Sequence, residues 1–184
     1  MFFDRLWRVL LTSVILLSTA APTGAKVLVT VEEALDLAFP DCQVERETVF
    51  LTEAETAEAG RLSGDSGTRA LVVRYEARRG GRLVGTAYFD VHRVRTLEET
   101  LLVVVRPDGT VGRVEVVSFD EPMDYLPRDG WYRQFDGKAL DGDLKLDRAI
   151  RSVSGATLTA VATTAAARRV LAVHRIIEKR ESQK

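Results

Sequence analysis

The residues best suited to chemistry in this sequence lie in one short stretch, residues 154–159, which reads Ser-Gly-Ala-Thr-Leu-Thr. The hydroxyls of Thr157 and Thr159 stand at the start of a long helical pattern, and the small Gly-Ala pair before them lets a bulky group approach the backbone. The first N–H groups of a helix lack intrahelical partners and lie at its positive dipole end, so this position suits a phosphate. A purely structural interpretation is that Ser154 caps the helix and no ligand is involved.

Length and composition indicate one ordinary globular domain. The chain has 184 residues, of which 46% are hydrophobic and 29% are charged, and its formal net charge is -1. The near-zero charge argues against nucleic-acid binding over the whole surface. The single Cys42 cannot form an internal disulfide, and His92 and His174 are expected to be surface or half-buried residues and not ligands. The sequence therefore predicts no metal site and no catalytic residues of its own.

The N-terminus has the pattern of an export signal. Arg5 and Arg8 precede an apolar run over residues 9–21, and small residues before Lys26 suit a cleavage site. The apolar run is shorter than the roughly 20 residues that a spanning helix needs. We predict a signal peptide over residues 1–25, and a retained membrane anchor is the alternative.

The remainder, residues 26–184, is predicted to be a single α+β domain with a mostly antiparallel sheet and flanking helices. Thr30 with Glu33 and Thr52 with Glu55 have the spacing of capping boxes, which predicts two short helices at these points. Apolar, β-branched runs separated by turn residues predict strands over residues 44–51, 70–77, 83–91, 100–105 and 111–117.

Three further features of the pattern concern the sheet and the C-terminal half. Gly85, inside a strand pattern, predicts a bulge or a close backbone approach. Trp131 and Phe135 lie one turn apart on a short predicted helix and are typical of core residues. From Leu158 onward the pattern is helical, with an apolar face formed by Val161, Ala166, Val170, Val173 and Ile177.

The stretch at residues 154–159 resembles the Ser/Thr-Gly-Ala-Thr signature of the FMN-binding domain family. This family includes the C subunit of sodium-translocating NADH:quinone oxidoreductase and the G subunit of the related ferredoxin-dependent electron transport complex. The resemblance covers essentially the whole chain after the export signal. It is carried further by Gly85-Thr86-Ala87-Tyr88, Asp108-Gly109, Val114-Glu115-Val116, Glu121-Pro122, Trp131 and Gln134-Phe135.

The resemblance implies an exported, periplasmic flavoprotein that carries electrons between membrane or periplasmic redox partners, with the N-terminal segment as an alternative inner-membrane anchor. A separate flavin transferase would split FAD and join FMN by a phosphoester to the hydroxyl matching Thr157, with Thr159 as the competing acceptor. Trp131 or Tyr125 could contact the flavin ring. The implied cofactor-binding residues are Ser154, Gly155, Ala156, Thr157, Leu158 and Thr159.

One position departs from the family pattern. Arg151 stands where the family usually has Asp, three residues before the serine, and the nearest upstream acid is Asp147. This leaves open a transferase of altered specificity or a flavin held without a covalent bond. Two other functions also stay open: a flavin-dependent reductase of a small acceptor, and a flavin-free periplasmic binding or assembly module.

Overall fold

The computed structural model describes residues 26–183, and within them the chain is α+β, as predicted. The predicted export signal over residues 1–25 lies outside the described residues. The helices are α1 (Val31–Ala38), α2 (Glu53–Ser63), α3 (Asp129–Tyr132) and α4 (Thr157–Glu181). The strands are β1 (Lys26–Val27), β2 (Gln43–Phe50), β3 (Leu71–Arg79), β4 (Arg82–Arg93), β5 (Glu98–Val105) and β6 (Val111–Phe119).

The strands form one antiparallel sheet in the order β1-β6-β5-β4-β3-β2. Five strands make up its body, and the two-residue β1 pairs with the end of β6. From β3 onward, each strand pairs with the one before it in the chain, because short connections can join antiparallel neighbours. The predicted strands thus correspond to β2 to β6, with boundaries that differ by one or two residues.

Helices cover both faces of the sheet. Strand side chains alternate between the faces, and β5 is buried on both, so Leu101 and Val103 pack toward α4 while Leu102 and Val104 pack toward α1. The larger core lies on the α4 side and also takes in α2, α3 and the 3₁₀ turn Arg133–Phe135. None of the described helices is long and apolar enough to cross a membrane.

Both predicted capping boxes are confirmed. The Thr30 hydroxyl accepts a hydrogen bond from the Glu33 N–H at 3.2 Å, and the Glu33 carboxylate accepts one from the Thr30 N–H at 2.8 Å. Thr52 and Glu55 make the same two bonds at 3.2 Å and 2.8 Å. Each box satisfies two N–H groups that would otherwise lack partners at the start of a helix.

The predicted close approach at Gly85 is also confirmed. A Cβ atom at this position would lie 3.0 Å from the carbonyl oxygen of Val105 and 3.2 Å from the ring of Phe39. The pairing of β3 with β4 shifts register beside it, between Ala77 and Arg78. Glycine therefore lets α1, β4 and β5 pack together at one point.

Helix α4 differs from the predicted one-sided amphipathic helix. It is buried over most of its circumference, and its buried residues include Ala160, Thr163, Ala167 and His174. Val161, predicted to belong to the apolar face, is 49% exposed. The alanines explain the difference, because their small side chains let α4 lie close to the sheet along several faces at once.

Candidate functional site

The candidate site is the N-terminal end of α4, which begins at Thr157 after a turn in which Gly155 has φ +85°. Ser154, Gly155 and Thr157 are exposed, whereas Ala156 is buried. The helix cap is Ala156 and no side chain caps the first turn, so the structural interpretation with Ser154 as the cap is wrong. The left-handed turn at Gly155 separates the serine from the helix, and the first turn of α4 has no side-chain acceptor at its cap.

The two candidate hydroxyls have different surroundings. Thr157 is exposed, and its hydroxyl donates to the Val153 carbonyl at 3.3 Å, a long bond at the surface. Thr159 is 1% exposed, and its hydroxyl donates to the Tyr125 carbonyl at 2.6 Å. A reagent from solution can therefore reach the hydroxyl of Thr157, whereas that of Thr159 is buried in a contact that holds the 3₁₀ turn Met123–Tyr125 against α4.

The segment that leads into α4 is fixed from the side by the short helix α3 and the turn after it. The indole N–H of Trp131 donates to the Arg151 carbonyl at 2.7 Å, and the Arg151 N–H donates to the side-chain oxygen of Gln134 at 2.8 Å. The Gln134 side-chain amide also donates to the Trp131 carbonyl at 3.1 Å. These bonds hold the backbone at Arg151 and leave its side chain exposed.

The aromatic residues of this region belong mainly to the core. Trp131 is 9% exposed and makes edge-on contacts with Tyr132 and Phe135, with ring centroids 5.1 Å and 5.4 Å away. The expectation that Trp131 and Phe135 are core residues is confirmed, and little of the Trp131 ring is open to a ligand. Tyr125 is half-buried, with the Arg95 guanidinium 4.7 Å from the centre of its ring.

Cationic side chains lie around this end of the molecule. A cleft of about 560 Å³ is bordered by Arg151, Lys138 and the Ser152–Val153 backbone just before α4. Arg95 lies on the β4–β5 loop, which is fixed because one Glu121 oxygen accepts bonds from the N–H groups of residues 95–97. These bonds, the one from Leu97 foremost, lower the pKa of Glu121. Arg95, Lys138 and Arg151 thus lie on segments that the fold holds near the start of α4.

Sequence reasoning missed a buried charge network on the α4 side of the sheet. The two ring nitrogens of His92 lie 3.0 Å from Asp90 and 3.0 Å from Glu99. Arg169 of α4 donates to both Asp90 oxygens, at 2.9 Å and 2.7 Å, and also pairs with Asp65. Part of this network could have been predicted from the alternation of strand side chains, which places Asp90 and His92 on the same face of β4. In the structure His92 lies opposite Glu99 on β5.

The ionisation of this network follows from its contacts. Burial opposes a charge on His92, but the hydrogen bonds to Asp90 and Glu99 outweigh it and raise the pKa of His92 to about 9. Burial likewise opposes a charge on Asp90, yet the bonds from His92 and Arg169 lower its pKa. Burial dominates for Glu99, whose pKa is raised. His92, half-buried as predicted, is therefore an ion-pair partner within the fold.

His174 departs from its prediction, because it is 5% exposed and belongs to the core. Its Nδ1 lies 2.9 Å from the hydroxyl of Tyr88, and burial together with the nearby Arg74 lowers the pKa of His174 to about 4. Arg74, 3% exposed, is surrounded by Glu47, Glu76, Glu178 and Glu181 at 2.6, 3.1, 3.4 and 2.5 Å.

Within residues 26–183 no group of three or more His, Cys, Asp or Glu could hold a metal ion.

Comparisons with known proteins give no support to the resemblance. The sequence matches no protein-family model, and no curated protein matches it.

Proposed function

We propose that this chain is an exported flavoprotein that carries FMN through a phosphoester on Thr157 and transfers electrons between membrane or periplasmic partners. The single observation that supports this most is the accessible Thr157 hydroxyl, at the start of a 25-residue helix whose first turn has no side-chain cap. The protein would be an electron carrier and not a stand-alone enzyme, since FMN supplies the redox chemistry when bound.

The start of α4 fits a phosphoester for three reasons. The first-turn N–H groups can donate to phosphate oxygens, and the helix dipole favours their negative charge. Gly155 and Ala156 have small side chains that leave the approach to Thr157 open. A Cβ atom placed at Gly155 would have no other atom within 4 Å, so the space beside it is empty. The cations of Arg151 and Lys138 border the adjacent cleft, where they could lower the electrostatic cost of a phosphate.

Attachment would be a phosphoryl transfer by a separate enzyme. The Thr157 oxygen forms a bond to the FMN phosphorus of FAD, the pyrophosphate P–O bond breaks, and AMP leaves with the electron pair. The hydroxyl proton passes to a base. The contact of the Thr157 hydroxyl with the Val153 carbonyl is its only described hydrogen bond, and no described base touches it. The transferase would therefore supply the activation.

The surface beside Thr157 also fits a redox role. Leu158 is 52% exposed and Val161 is 49% exposed, one helical turn apart on α4. Exposed apolar side chains next to the attachment point give a flat isoalloxazine ring or a partner protein a surface to pack against. The buried Trp131 offers much less area, so its role would be to hold the backbone at Arg151.

The test is co-expression of the full chain with a flavin transferase, followed by in-gel flavin fluorescence after denaturation. We expect a fluorescent band that Thr157→Val abolishes and the matched Thr159→Val retains, since only the first hydroxyl is accessible. Native colour and mass would be recorded for each variant. A dark band together with flavin-free native protein would overturn the proposal, whereas a dark band from yellow native protein would indicate non-covalent binding.

A second candidate function, a flavin-free binding or assembly module, is favoured by Arg151. Its side chain is exposed where a transferase would meet a carboxylate in the family pattern, and its backbone is held by Trp131 and Gln134. We expect Arg151→Asp to increase the fluorescent fraction several-fold, with Arg151→Gln as the control that only removes charge. Flavin-free protein from the native host, and no gain from Arg151→Asp, would favour the second function.

A further inference from the structure

The sheet opens where β3 and β4 separate. Their described pairing ends at Arg74 and Tyr88, although both strands continue beyond these residues. Residues 71–73 still pair with β2, and residues 89–91 still pair with β5. Two strand segments therefore border a gap, across which the described residues form no bridge.

A cavity of about 300 Å³ occupies this gap. Val170 and Val173 of α4 line it and are almost fully buried, so the cavity has an apolar floor on the α4 side of the sheet. Its volume is at the lower end of the roughly 300–1,000 Å³ of small-molecule sites. The space therefore suits a small molecule with an apolar body.

The cavity opens on the opposite face of the sheet. Val72 packs against the core on the α4 side, and Asp90 is bound by Arg169 of α4. Because strand side chains alternate between the two faces, the neighbouring Leu71 and Val91 lie on the other face. Both line the cavity, and they are 53% and 38% exposed. The opening is therefore partly apolar, as the floor is.

Three charged side chains line the cavity, and two of them are paired with each other. Arg169 donates to both oxygens of Asp90, at 2.9 Å and 2.7 Å. Behind this pair lie one further cation and one further carboxylate, His92 on Asp90 and Asp65 on Arg169. Two cations thus balance two carboxylates, and this part of the lining has no free charge to offer a ligand.

The third charged side chain, Arg69, is free. It is exposed where the loop between α2 and β3 approaches the start of β3, and it makes no hydrogen bond or ion pair with any other described residue. The cavity therefore has one unpaired positive charge at its exposed edge. A guanidinium makes its strongest hydrogen bonds to anionic oxygens, and a carboxylate presents two of them side by side.

One free cation and apolar walls together define the chemistry of a ligand. A single negative charge would be matched by Arg69, whereas a second one would have no partner and would be costly to remove from water. A cation would be repelled by Arg69. An apolar body would be needed to use the contacts that Val170 and Val173 offer at the floor.

The cavity is distinct from the proposed flavin site. At the rise of an α-helix, the 13 residues from Thr157 to Val170 span about 20 Å of α4. The inference therefore does not rest on the proposed function.

We propose that the gap between β3 and β4 is a binding site for a small monocarboxylate with an apolar body. The carboxylate would accept hydrogen bonds from Arg69 at the opening. The hydrocarbon part would lie between the two strand segments, against Val170 and Val173.

The test uses three probes of the same shape that differ in charge: anionic benzoate, neutral benzamide and cationic benzamidine. Binding to the full chain is measured at pH 7 by ligand-observed NMR titration. Benzoate should bind saturably, benzamide roughly three- to tenfold more weakly, and benzamidine more weakly still, because only benzoate can form an ion pair with Arg69. Acetate has the charge without the apolar body and should bind roughly tenfold or more weakly than benzoate. Another probe that binds as tightly as benzoate, or benzoate binding that does not saturate, contradicts the proposal.

Arg69→Gln tests the role of the charge. It should lower benzoate affinity roughly three- to tenfold and change benzamide affinity much less, because it removes the cation and keeps a polar side chain of similar length. The matched control is Arg82→Gln, which removes an exposed arginine at the turn end of the β3–β4 hairpin and the same net charge. It should leave both affinities unchanged. Equal effects of the two variants on benzoate would show that Arg69 does not hold the carboxylate.

Val170→Phe tests the position of the apolar body. The variant places a ring in the cavity and should weaken benzoate and benzamide binding by roughly tenfold or more. Val84→Phe, at an exposed valine near the start of β4, is the matched control and should leave binding unchanged. Circular dichroism verifies the fold of each variant. Unchanged benzoate affinity in folded Val170→Phe would overturn the proposal.

Discussion

At the scale of single residues, two histidines of the same chain have pKa values displaced in opposite directions. His92 lies between two carboxylates, which raise its pKa to about 9, whereas burial and the nearby charge of Arg74 lower the pKa of His174 to about 4. The difference arises from the partner and not from burial, since burial disfavours the charge at both positions.

The pH dependence of stability should therefore contain a contribution from His92. Its pKa is raised from 6.5 in the unfolded chain, so protonation stabilises the fold fully below pH 6.5, and that stability is lost as pH rises toward 9. The groups that face His92 are Asp90 and Glu99, with Arg169 on the far side of Asp90. The rise in the pKa of His92 from 6.5 to about 9 corresponds to about 3 kcal/mol of unfolding free energy.

Urea denaturation at pH 6.5 and pH 9 measures this contribution, with His92→Gln as the comparison. We expect the variant to lose about 3 kcal/mol less stability than the native chain over this interval. Equal losses in the two proteins would show that His92 is not charged in the fold.

At the scale of elements, the contacts that could be predicted from the sequence are those between residues close together in the chain. The capping boxes of α1 and α2 join residues three positions apart, and their bonds are formed as the spacing indicates. The partners that define the site are remote: Thr159 bonds a carbonyl 34 residues away, and Tyr88 meets His174 across 86 residues. No local pattern encodes such contacts, so the unequal exposure of Thr157 and Thr159 could not be predicted.

Gly85 was predictable because a glycine interrupts a β-branched strand, and it provides a test of how β4 packs. Gly85→Ala should lower the unfolding free energy by about 1–3 kcal/mol, because the new Cβ meets the Val105 carbonyl at 3.0 Å and this backbone atom cannot move aside easily. The matched control is Gly142→Ala, where nothing lies within 4 Å. Chemical denaturation that gives equal stability for both variants would mean that β4 and β5 can separate at this point.

At the scale of the whole molecule, the two ends of α4 have different surroundings. Its start is exposed and lacks a side-chain cap, whereas its last turns are tied to the sheet by Glu178 and Glu181 on Arg74. Arg74 also binds Glu47 of β2, so one buried cation connects the long helix to two strands. The position of the candidate site relative to the sheet therefore depends on an ionic cluster at the opposite end of the helix.

Replacing Arg74 tests this dependence. Arg74→Met keeps much of the side-chain volume but leaves Glu47, Glu178 and Glu181 without their common cation, and we expect a loss of about 3 kcal/mol at pH 7. The loss should shrink toward pH 4.5 as Glu178 is protonated, because burial raises the pKa of Glu178. Urea denaturation at both pH values measures the change. The pKa of His174, followed by NMR, should also rise, since the charge of Arg74 now helps to lower it. A loss that does not vary with pH, with an unmoved His174, would mean that Arg74 acts through packing alone.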